Sequence, residues 1–492
     1  MDIVICILPK IEPSAPSVGP SILKSHCIAA GFSCKVADFN IELYNSIPTD
    51  MQSIWHSNDS VFDNMHEWLP LYEQTFKSTF EQFADRLIAE NSTWIGLSVF
   101  SIKSMLPAIE LIKLIKHKKP EQKIVVGGAG IYNDITALTA AGADHWIVGD
   151  AEESIVELLK GNMSFRGIDN THPYQIDDLD SASIPNYDDI DFSQYANSNN
   201  RQVYITASRG CIRDCTFCDV ASMWPKFRFR SSANVVDEII QLRQRYDIRN
   251  FYFTDSLING GVKIFRDMCA VLAQYRQETG SDWTLGSQFI CRSAEQMPPN
   301  DYDLMKAAGF SWVAIGIESA SQAVRDHMRK GFTNEDMWYT FDQLHRVGIN
   351  LNILLIAGYL TETKADFDET LDMIHRLARE DYLSNIDAIN IFEAIIFKKT
   401  PSYDISKQLG VIDIDNDTWH LPDNTNNLRV RVVRTLKAYT LIERYRGDDK
   451  MFWLAKSVIH SCTTRYKELT GRDLPTDILN YDESLEYNQL PS

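Results

Sequence analysis

Three cysteines stand at gaps of three and two residues in Arg209-Gly-Cys211-Ile-Arg-Asp-Cys215-Thr-Phe-Cys218. Thiolates at this spacing on one loop can wrap a 4Fe–4S cubane, holding three of its irons and leaving the fourth open to a ligand. A structural zinc site would need a fourth protein ligand to close it. No His follows Cys218 within tens of residues, and the next cysteines, Cys269 and Cys291, fall in other strand–helix repeats. A cluster with one open corner serves chemistry rather than bracing.

The elements that must position this loop read as a strand–helix series. The loop follows an apolar run at Val203–Ala207. Further strands are expected at Asn250–Thr254, Thr284–Ile290, Trp312–Ile317, Asn350–Ala357 and Ala388–Phe392, with helices between them such as Val235–Tyr246 and Val262–Tyr275. Six repeats over about 200 residues predict an open, partial (β/α)6 barrel of the TIM type, with its site at the carboxyl ends of the strands. Asp255, Gln288, Arg292, Glu318 and Ser319 fall at such ends. Beyond about Asp413 the pattern turns helical, at Asn426–Tyr445 and Met451–Tyr466, predicting a small helical cap. There Trp419, Tyr439 and Trp453 read as core, and Cys462 as a buried free thiol.

The first third of the chain is a separate α/β series. Strands are expected at Ile3–Leu8, Cys34–Asp38, Trp94–Phe100, Lys123–Gly127 and Asp144–Val148, and helices at Ser21–Ala30, Leu106–Ile115 and Glu152–Leu159. Short apolar strands alternating with amphipathic helices predict a parallel sheet covered on both faces. Residues 53–90 are aromatic-rich with helical period and read as an insertion over one face. Residues 177–200, rich in Asp, Asn, Ser and Tyr, read as an ordered linker. The expected domains are 1–176, the linker 177–200, 201–412 and the cap 413–492.

The 492 residues carry a net charge of −19 with 44% hydrophobic and 23% charged residues, the composition of a globular protein without a large nucleic-acid footprint. No apolar run approaches the length of a membrane span. The apolar start at Met1–Leu8 lacks a preceding basic segment and breaks at Pro9, so a strand rather than a signal peptide is expected. Nine cysteines without a leader fit a reducing compartment, and the cytoplasm is the expected location.

The cysteine triplet, with Phe217 before the last cysteine, resembles the signature of the radical S-adenosylmethionine superfamily. Other matching stretches are Phe229 to Ile239, Phe251-Tyr-Phe-Thr-Asp255, Ile315-Gly-Ile-Glu-Ser319 with Met328-Arg-Lys-Gly331, and Thr400-Pro-Ser-Tyr403. Ile356-Ala-Gly-Tyr-Leu-Thr-Glu-Thr363 resembles the family's fifth-strand turn, with Tyr359 and Leu360 in place of its usual Pro and Gly. The resemblance implies a 4Fe–4S cluster on Cys211, Cys215 and Cys218 whose open iron chelates S-adenosylmethionine. Reductive cleavage there gives methionine and a 5′-deoxyadenosyl radical. Phe217, Asp255, Gln288, Arg292, Glu318 and Ser319 are the residues expected to contact S-adenosylmethionine. Glu318 and Ser319 would serve its ribose or amino group, and Arg292 its carboxylate through a forked contact. The structural alternative is that Glu318 is merely paired with Arg292 or Arg325.

Placed before such a core, the first α/β series resembles the Rossmann-like cobalamin-binding domain of that superfamily. The matching pieces are Ser17-Val-Gly-Pro-Ser21, Gly96-Leu-Ser98, Val126-Gly-Gly-Ala129 and Val148-Gly-Asp-Ala-Glu-Glu153. Ser98, Gly127, Gly128, Gly149 and Glu152 are the expected cobalamin contacts, since glycines at strand ends let a ligand approach the backbone. There is no Asp-x-His-x-x-Gly element to supply a lower His ligand, and His26 and His145 do not fit it. The resemblance implies methyl transfer from S-adenosylmethionine through cobalamin to an unactivated carbon of a small molecule or peptide. A reductase or flavodoxin-type protein would supply electrons. A non-methylating outcome (cyclisation, rearrangement or methylthiolation) and a non-catalytic cobalamin or metal sensor stay open. Methylthiolation of transfer RNA is disfavoured by the helical tail, because those enzymes end in a small β-rich module.

Overall fold

The structure is a computed structural model and describes residues 1–56, 60–132, 134–196, 198–415, 417–446 and 452–487. The chain forms two compact units, residues 1–207 with 228–254, and residues 208–227 with 255–492.

The first unit opens with a five-stranded parallel sheet of β1 (Ile3–Ile7), β2 (Cys34–Asp38), β3 (Trp94–Ser98), β4 (Lys123–Gly127) and β5 (His145–Ile147), in the order β2-β1-β3-β4-β5. β1 is buried along its whole length because it is central and covered on both faces. In register, Ile3 lies opposite Cys34 on one side and Trp94 on the other. Alternate residues feed two cores. Val4, Cys6, Ile95, Leu97, Ile124 and Val126 pack against the aromatic insertion, where Trp55, Phe62, Trp68, Phe76 and Phe80 are buried. Ile3, Ile5, Trp94, Val125 and Ile147 pack on the opposite face against Cys27, Ile155 and Leu158. The insertion is helical at Met65–Leu71 and Lys77–Ala89, as its period predicts, and covers one face of the sheet.

Among the described residues of the segment 177–200, the regular structure is confined to the short turns Leu179–Ser181 and Phe192–Gln194. It is tied down at intervals. Asp189 takes Lys24 at 2.6 Å and the Val36 N–H at 2.8 Å, and the Tyr195 hydroxyl donates to Asp38.

The second strand series is β6 (Gln202–Ile205), β7 (Asn250–Phe253), β8 (Thr284–Phe289), β9 (Phe310–Glu318), β10 (Asn350–Ala357) and β11 (Ile386–Glu393). These six form one open sheet in the order β11-β10-β9-β8-β7-β6, the partial barrel expected. Two further two-residue strands, Ser208–Arg209 and Arg228–Phe229, flank the cysteine segment. Helices Asn334–Val347 and Lys364–Arg379 each begin with a capping box, Thr333 with Asp336 and Thr363 with Asp366. Both end in or near basic turns that suit the helix dipole.

In the second unit the tail covers the edge strand β11. Helix Leu428–Arg446 places the Tyr439 hydroxyl to accept the Ile391 N–H at 3.1 Å, and the Trp419 indole donates to Ala394 O at 2.9 Å. Unpaired edge groups are thereby satisfied. Leu428, Val432, Val433 and Leu436 pack with Cys462 and Tyr466 of helix Phe452–Thr470. Trp419, Tyr439 and Cys462 are buried as expected, whereas the side chain of Trp453 lies outside the described residues. Among the described residues no helix is long and apolar enough to cross a membrane.

Candidate functional site

The cysteine loop begins at Gly210, whose φ is +87° and where a Cβ would stand 2.7 Å from Lys226 O. Only glycine permits that turn. Cys211, Cys215 and Cys218 are half-buried and free. The Arg213 N–H donates to Cys211 Sγ at 3.4 Å, and the Cys218 N–H donates to Cys215 O at 3.2 Å. Burial pushes all three thiols above their ordinary pKa, Cys218 to about 11, with Cys211 adding to the rise at Cys215 and both of these adding to it at Cys218. Lys330 and Arg213 oppose this at Cys211 and Cys215.

The three soft donors therefore share one electrostatic neighbourhood. Among the described residues no trio of His, Cys, Asp or Glu is gathered tightly enough for a single metal ion.

The loop between Cys215 and Cys218 is held by the turns that follow three strands. The buried Thr216 donates its N–H to Met328 O at 3.1 Å and accepts from the Ser402 N–H at 2.7 Å. Phe217 packs among Val324, Met328, Tyr359, Leu360 and Trp419, with the Lys330 ammonium 5.8 Å from its ring centroid.

Strand β9 ends in an irregular register at Gly316–Glu318, and Glu318 adopts φ +66°. A β-carbon on Gly316 would lie 2.2 Å from Glu318 Oε1, so this glycine makes room for the carboxylate. Glu318 accepts from Lys330 Nζ at 3.0 Å, with both side chains about nine-tenths buried. Burial by itself would lower the Lys330 pKa, but the charges of Glu318 and Cys215 outweigh it and leave it raised. The Arg292 and Arg325 pairings considered above do not form. Arg325 Nη1 donates to Ser319 O at 2.6 Å, while Arg292 Nη2 donates to Asn259 O at 2.9 Å and Gly260 O at 3.0 Å. Arg292 Nε is buried without a partner, an unused donor that suits an anionic ligand. Its charge is felt alongside that of Arg213, and burial lowers its pKa.

Asp255 is buried and accepts from the Ser208 hydroxyl, just before the cysteine loop. Gln288 is half-buried on β8, and its carbonyl takes the Ile258 N–H at 3.0 Å. Cys211, Cys215, Cys218, Phe217, Glu318 and Lys330 form one neighbourhood, with Arg292 linked to it through Arg213. For Asp255 and Gln288 the geometry establishes only their strand-end positions.

In the first unit, Ser98 ends β3 and Gly127 ends β4. Gly128 has φ +111°, and a Cβ there would lie 2.4 Å from Val99 O. Gly149 has φ +94°, and a Cβ there would lie 2.2 Å from Tyr174 O. The close approach these two glycines allow is to the chain's own backbone, which shapes the strand-end turns. Glu152 is buried at the start of helix Glu152–Leu159. His26 and His145 are engaged elsewhere, His26 Nε2 with the Ser183 N–H at 2.9 Å and His145 Nδ1 with Asp169 at 2.6 Å.

Sequence reasoning did not single out Lys330, Gly316 or Thr216. Lys330 and Gly316 lay within quoted motifs, but no local pattern shows which carboxylate a Lys will meet.

Comparison with known families matches residues 205–374 to the radical SAM superfamily and residues 67–159 to the B12 binding domain. A curated relative is the anaerobic magnesium-protoporphyrin IX monomethyl ester cyclase of Synechocystis sp., 25% identical over 315 residues. The match covers 62% of this chain and 58% of that protein, so the chain spans little more than half the relative's length. Among solved structures, the radical S-adenosylmethionine methyltransferase TsrM from Kitasatospora setae, with cobalamin and a 4Fe–4S cluster bound, superposes with a TM-score of 0.64 at 16% identity. That match covers 83% of this chain and 76% of TsrM. The cobalamin-dependent S-adenosylmethionine radical enzyme OxsB gives 0.67 at 16% identity, covering 96% and 74%. At these identities the likeness is one of fold.

Proposed function

Because the chain belongs to the radical S-adenosylmethionine superfamily, in the group that also carries a B12-binding domain, we propose that it moves a methyl group from S-adenosylmethionine to an unactivated carbon of a small molecule or peptide. The observation that carries this reading is the cysteine loop, three half-buried thiols on a segment tied to Met328 and Ser402, beside the Glu318–Lys330 pair. When bound, the cluster supplies the electron that cleaves S-adenosylmethionine, and the corrinoid supplies the methyl carrier.

The chain's own residues bind and orient. Cys211, Cys215 and Cys218 give up their protons to become ligands, and Lys330 with Arg213 offsets the negative charge they acquire. Glu318 and Ser319 receive the ribose or ammonium donors of S-adenosylmethionine. The free Nε of Arg292 binds its carboxylate, and Phe217 forms an apolar wall. Asp255 and Gln288 serve the adenosyl end or the substrate. Ser98, Gly127, Gly128, Gly149 and Glu152 line the corrinoid site at the carboxyl edge of the five-stranded sheet. The same reading divides the chain functionally at 1–176, 177–200, 201–412 and 413–492. It places the protein in the cytoplasm with a reductase or flavodoxin-type electron donor.

The test is anaerobic incubation of the cluster- and cobalamin-loaded chain with methyl-labelled S-adenosylmethionine and a reductant. Label recovered in the corrinoid fraction supports the reading. Reductive cleavage without labelled corrinoid would favour a non-methylating reaction, which the relationship to a cyclase keeps as the second reading. No cleavage at all would favour a binding protein.

A further inference from the structure

We propose that Tyr359 is a positioning residue for the cluster-binding loop and that the C-terminal region braces it in that role. The inference rests on the cluster reading above. Tyr359 stands where the family's fifth-strand turn usually has a more rigid residue, so the turn must take its shape from elsewhere.

Thr216 lies directly after Cys215 and two residues before Cys218. Its backbone is fixed at both polar groups, by Met328 O and the Ser402 N–H. Its hydroxyl lies 2.6 Å from the Tyr359 hydroxyl, and both residues are buried, at 1% and 2% exposure. The Tyr359 hydroxyl is also 3.0 Å from His327 Nδ1. A phenol offers one proton and accepting lone pairs, so it can serve both neighbours at once. Without it, the buried Thr216 hydroxyl and the half-buried His327 ring lose their partner.

Tyr359 is in turn held by its own surroundings. Gly358 has φ +77°, and a Cβ there would collide with Arg431 Cγ at 2.3 Å. The Gly358 N–H donates to Glu362 Oε2 at 2.6 Å, and the Glu362 N–H donates to Tyr359 O at 2.8 Å. Asn426 Nδ2 donates to Gly358 O at 2.9 Å and Tyr359 O at 3.0 Å. Arg434 Nη1 donates to Glu362 Oε2 at 2.9 Å and to Glu362 O at 3.1 Å, while Nη2 holds Glu483 at 2.6 Å. Asn426, Arg434 and Glu483 all belong to the tail and are buried. Bonds therefore run without interruption from Glu483 through Arg434 and Glu362 to the turn, and through Tyr359 to Thr216.

The experiment compares the wild-type chain with Tyr359→Phe, Thr216→Val and the double variant, all reconstituted anaerobically with iron and sulfide. Three quantities are read: iron loss to a chelator, the midpoint potential of the cluster, and the electron paramagnetic resonance spectrum of its reduced form. Each single variant loses iron about tenfold faster, the effect of one lost buried hydrogen bond. Each also shifts the potential and broadens the spectrum. The double variant is no worse than the more affected single, because the Thr216–Tyr359 bond is common to both substitutions. Asn426→Ala moves the same readouts in the same direction, reporting the brace. Wild-type iron retention, potential and spectrum in Tyr359→Phe overturn the proposal, as does an additive double variant. Thr216→Val reports on the same bond from the other side if Tyr359→Phe folds poorly. A wild-type chain that takes up no cluster overturns the underlying reading and this proposal together, whereas a sound wild-type cluster with unaffected variants overturns this proposal alone.

Discussion

Replacing Gly316 by Ala separates the fold of strand β9 from the position of its functional carboxylate. The new methyl would stand 2.2 Å from Glu318 Oε1, 3.2 Å from its carboxyl carbon and 3.1 Å from Lys330 Nζ. Non-bonded carbon and oxygen atoms settle more than 3 Å apart, so the carboxylate must retreat by about 1 Å. The retreat is cheap for the fold, because the obstructing atom ends a flexible side chain and Ala is no worse than Gly in a strand. It is costly for the site. A donor of S-adenosylmethionine placed to meet the carboxylate where it now stands would then be about 1 Å too far away for a hydrogen bond. Such a bond is worth about 1.5–3 kcal/mol, which weakens S-adenosylmethionine by about 10- to 150-fold if Glu318 holds it. Equilibrium binding to the anaerobically reconstituted variant measures this, with iron content and thermal midpoint as controls. The expected result is weaker binding with cluster and stability intact. Unchanged affinity in a folded, cluster-loaded Gly316→Ala would refute the placement of Glu318 in the cofactor site.

Other perturbations have equally definite outcomes. Cys215→Ala loses stoichiometric iron and forms no 5′-deoxyadenosine, while circular dichroism keeps the wild-type secondary structure. Gly128→Ala puts a Cβ 2.4 Å from Val99 O at φ +111°. Urea unfolding of this variant shows about 2–4 kcal/mol lost stability, and titration shows weaker cobalamin binding. Asp38, the N-cap of helix Phe39–Ser46, is pushed by burial from 3.8 to about 6. The folded chain therefore holds this proton more tightly than the unfolded chain. Its contribution to stability is greatest below about pH 4, declines as pH rises to about 6 and stays low above that. The two-unit gap corresponds to about 3 kcal/mol. Asp38→Asn keeps an acceptor for the Ile41 N–H, abolishes this slope and is the more stable chain at about pH 8 by denaturant titration.

Much of the fold was legible because buried parallel strands are short apolar runs with sharp ends. Cys34–Asp38, Lys123–Gly127 and Asn350–Ala357 occupy the expected limits. Helix ends were less legible. Met105–Lys118 outlasts its expected limit at Ile115, since the basic last turn carries no apolar period but suits the helix dipole. The cysteine triplet was legible because its chemistry is encoded in local spacing. Lys330 was not, since its partner Glu318 lies 12 residues away across a turn that only the folded chain closes. Tyr359 read as a departure from a motif. Its role depends on Thr216, Asn426 and Arg434, which folding brings to it from two distant segments. Gly128 and Gly149 were legible as strand-end turns, but the backbone of Val99 and Tyr174 that presses on them is a contact only the folded chain makes.

The most direct test of the account is to reduce the anaerobically reconstituted chain with S-adenosylmethionine present and quantify 5′-deoxyadenosine and methionine together. The account predicts that both accumulate with the wild-type chain, and that neither forms when Cys211, Cys215 or Cys218 is replaced by Ala. Intact S-adenosylmethionine after full reduction of a loaded cluster, or equal cleavage by the cysteine variants, would contradict it.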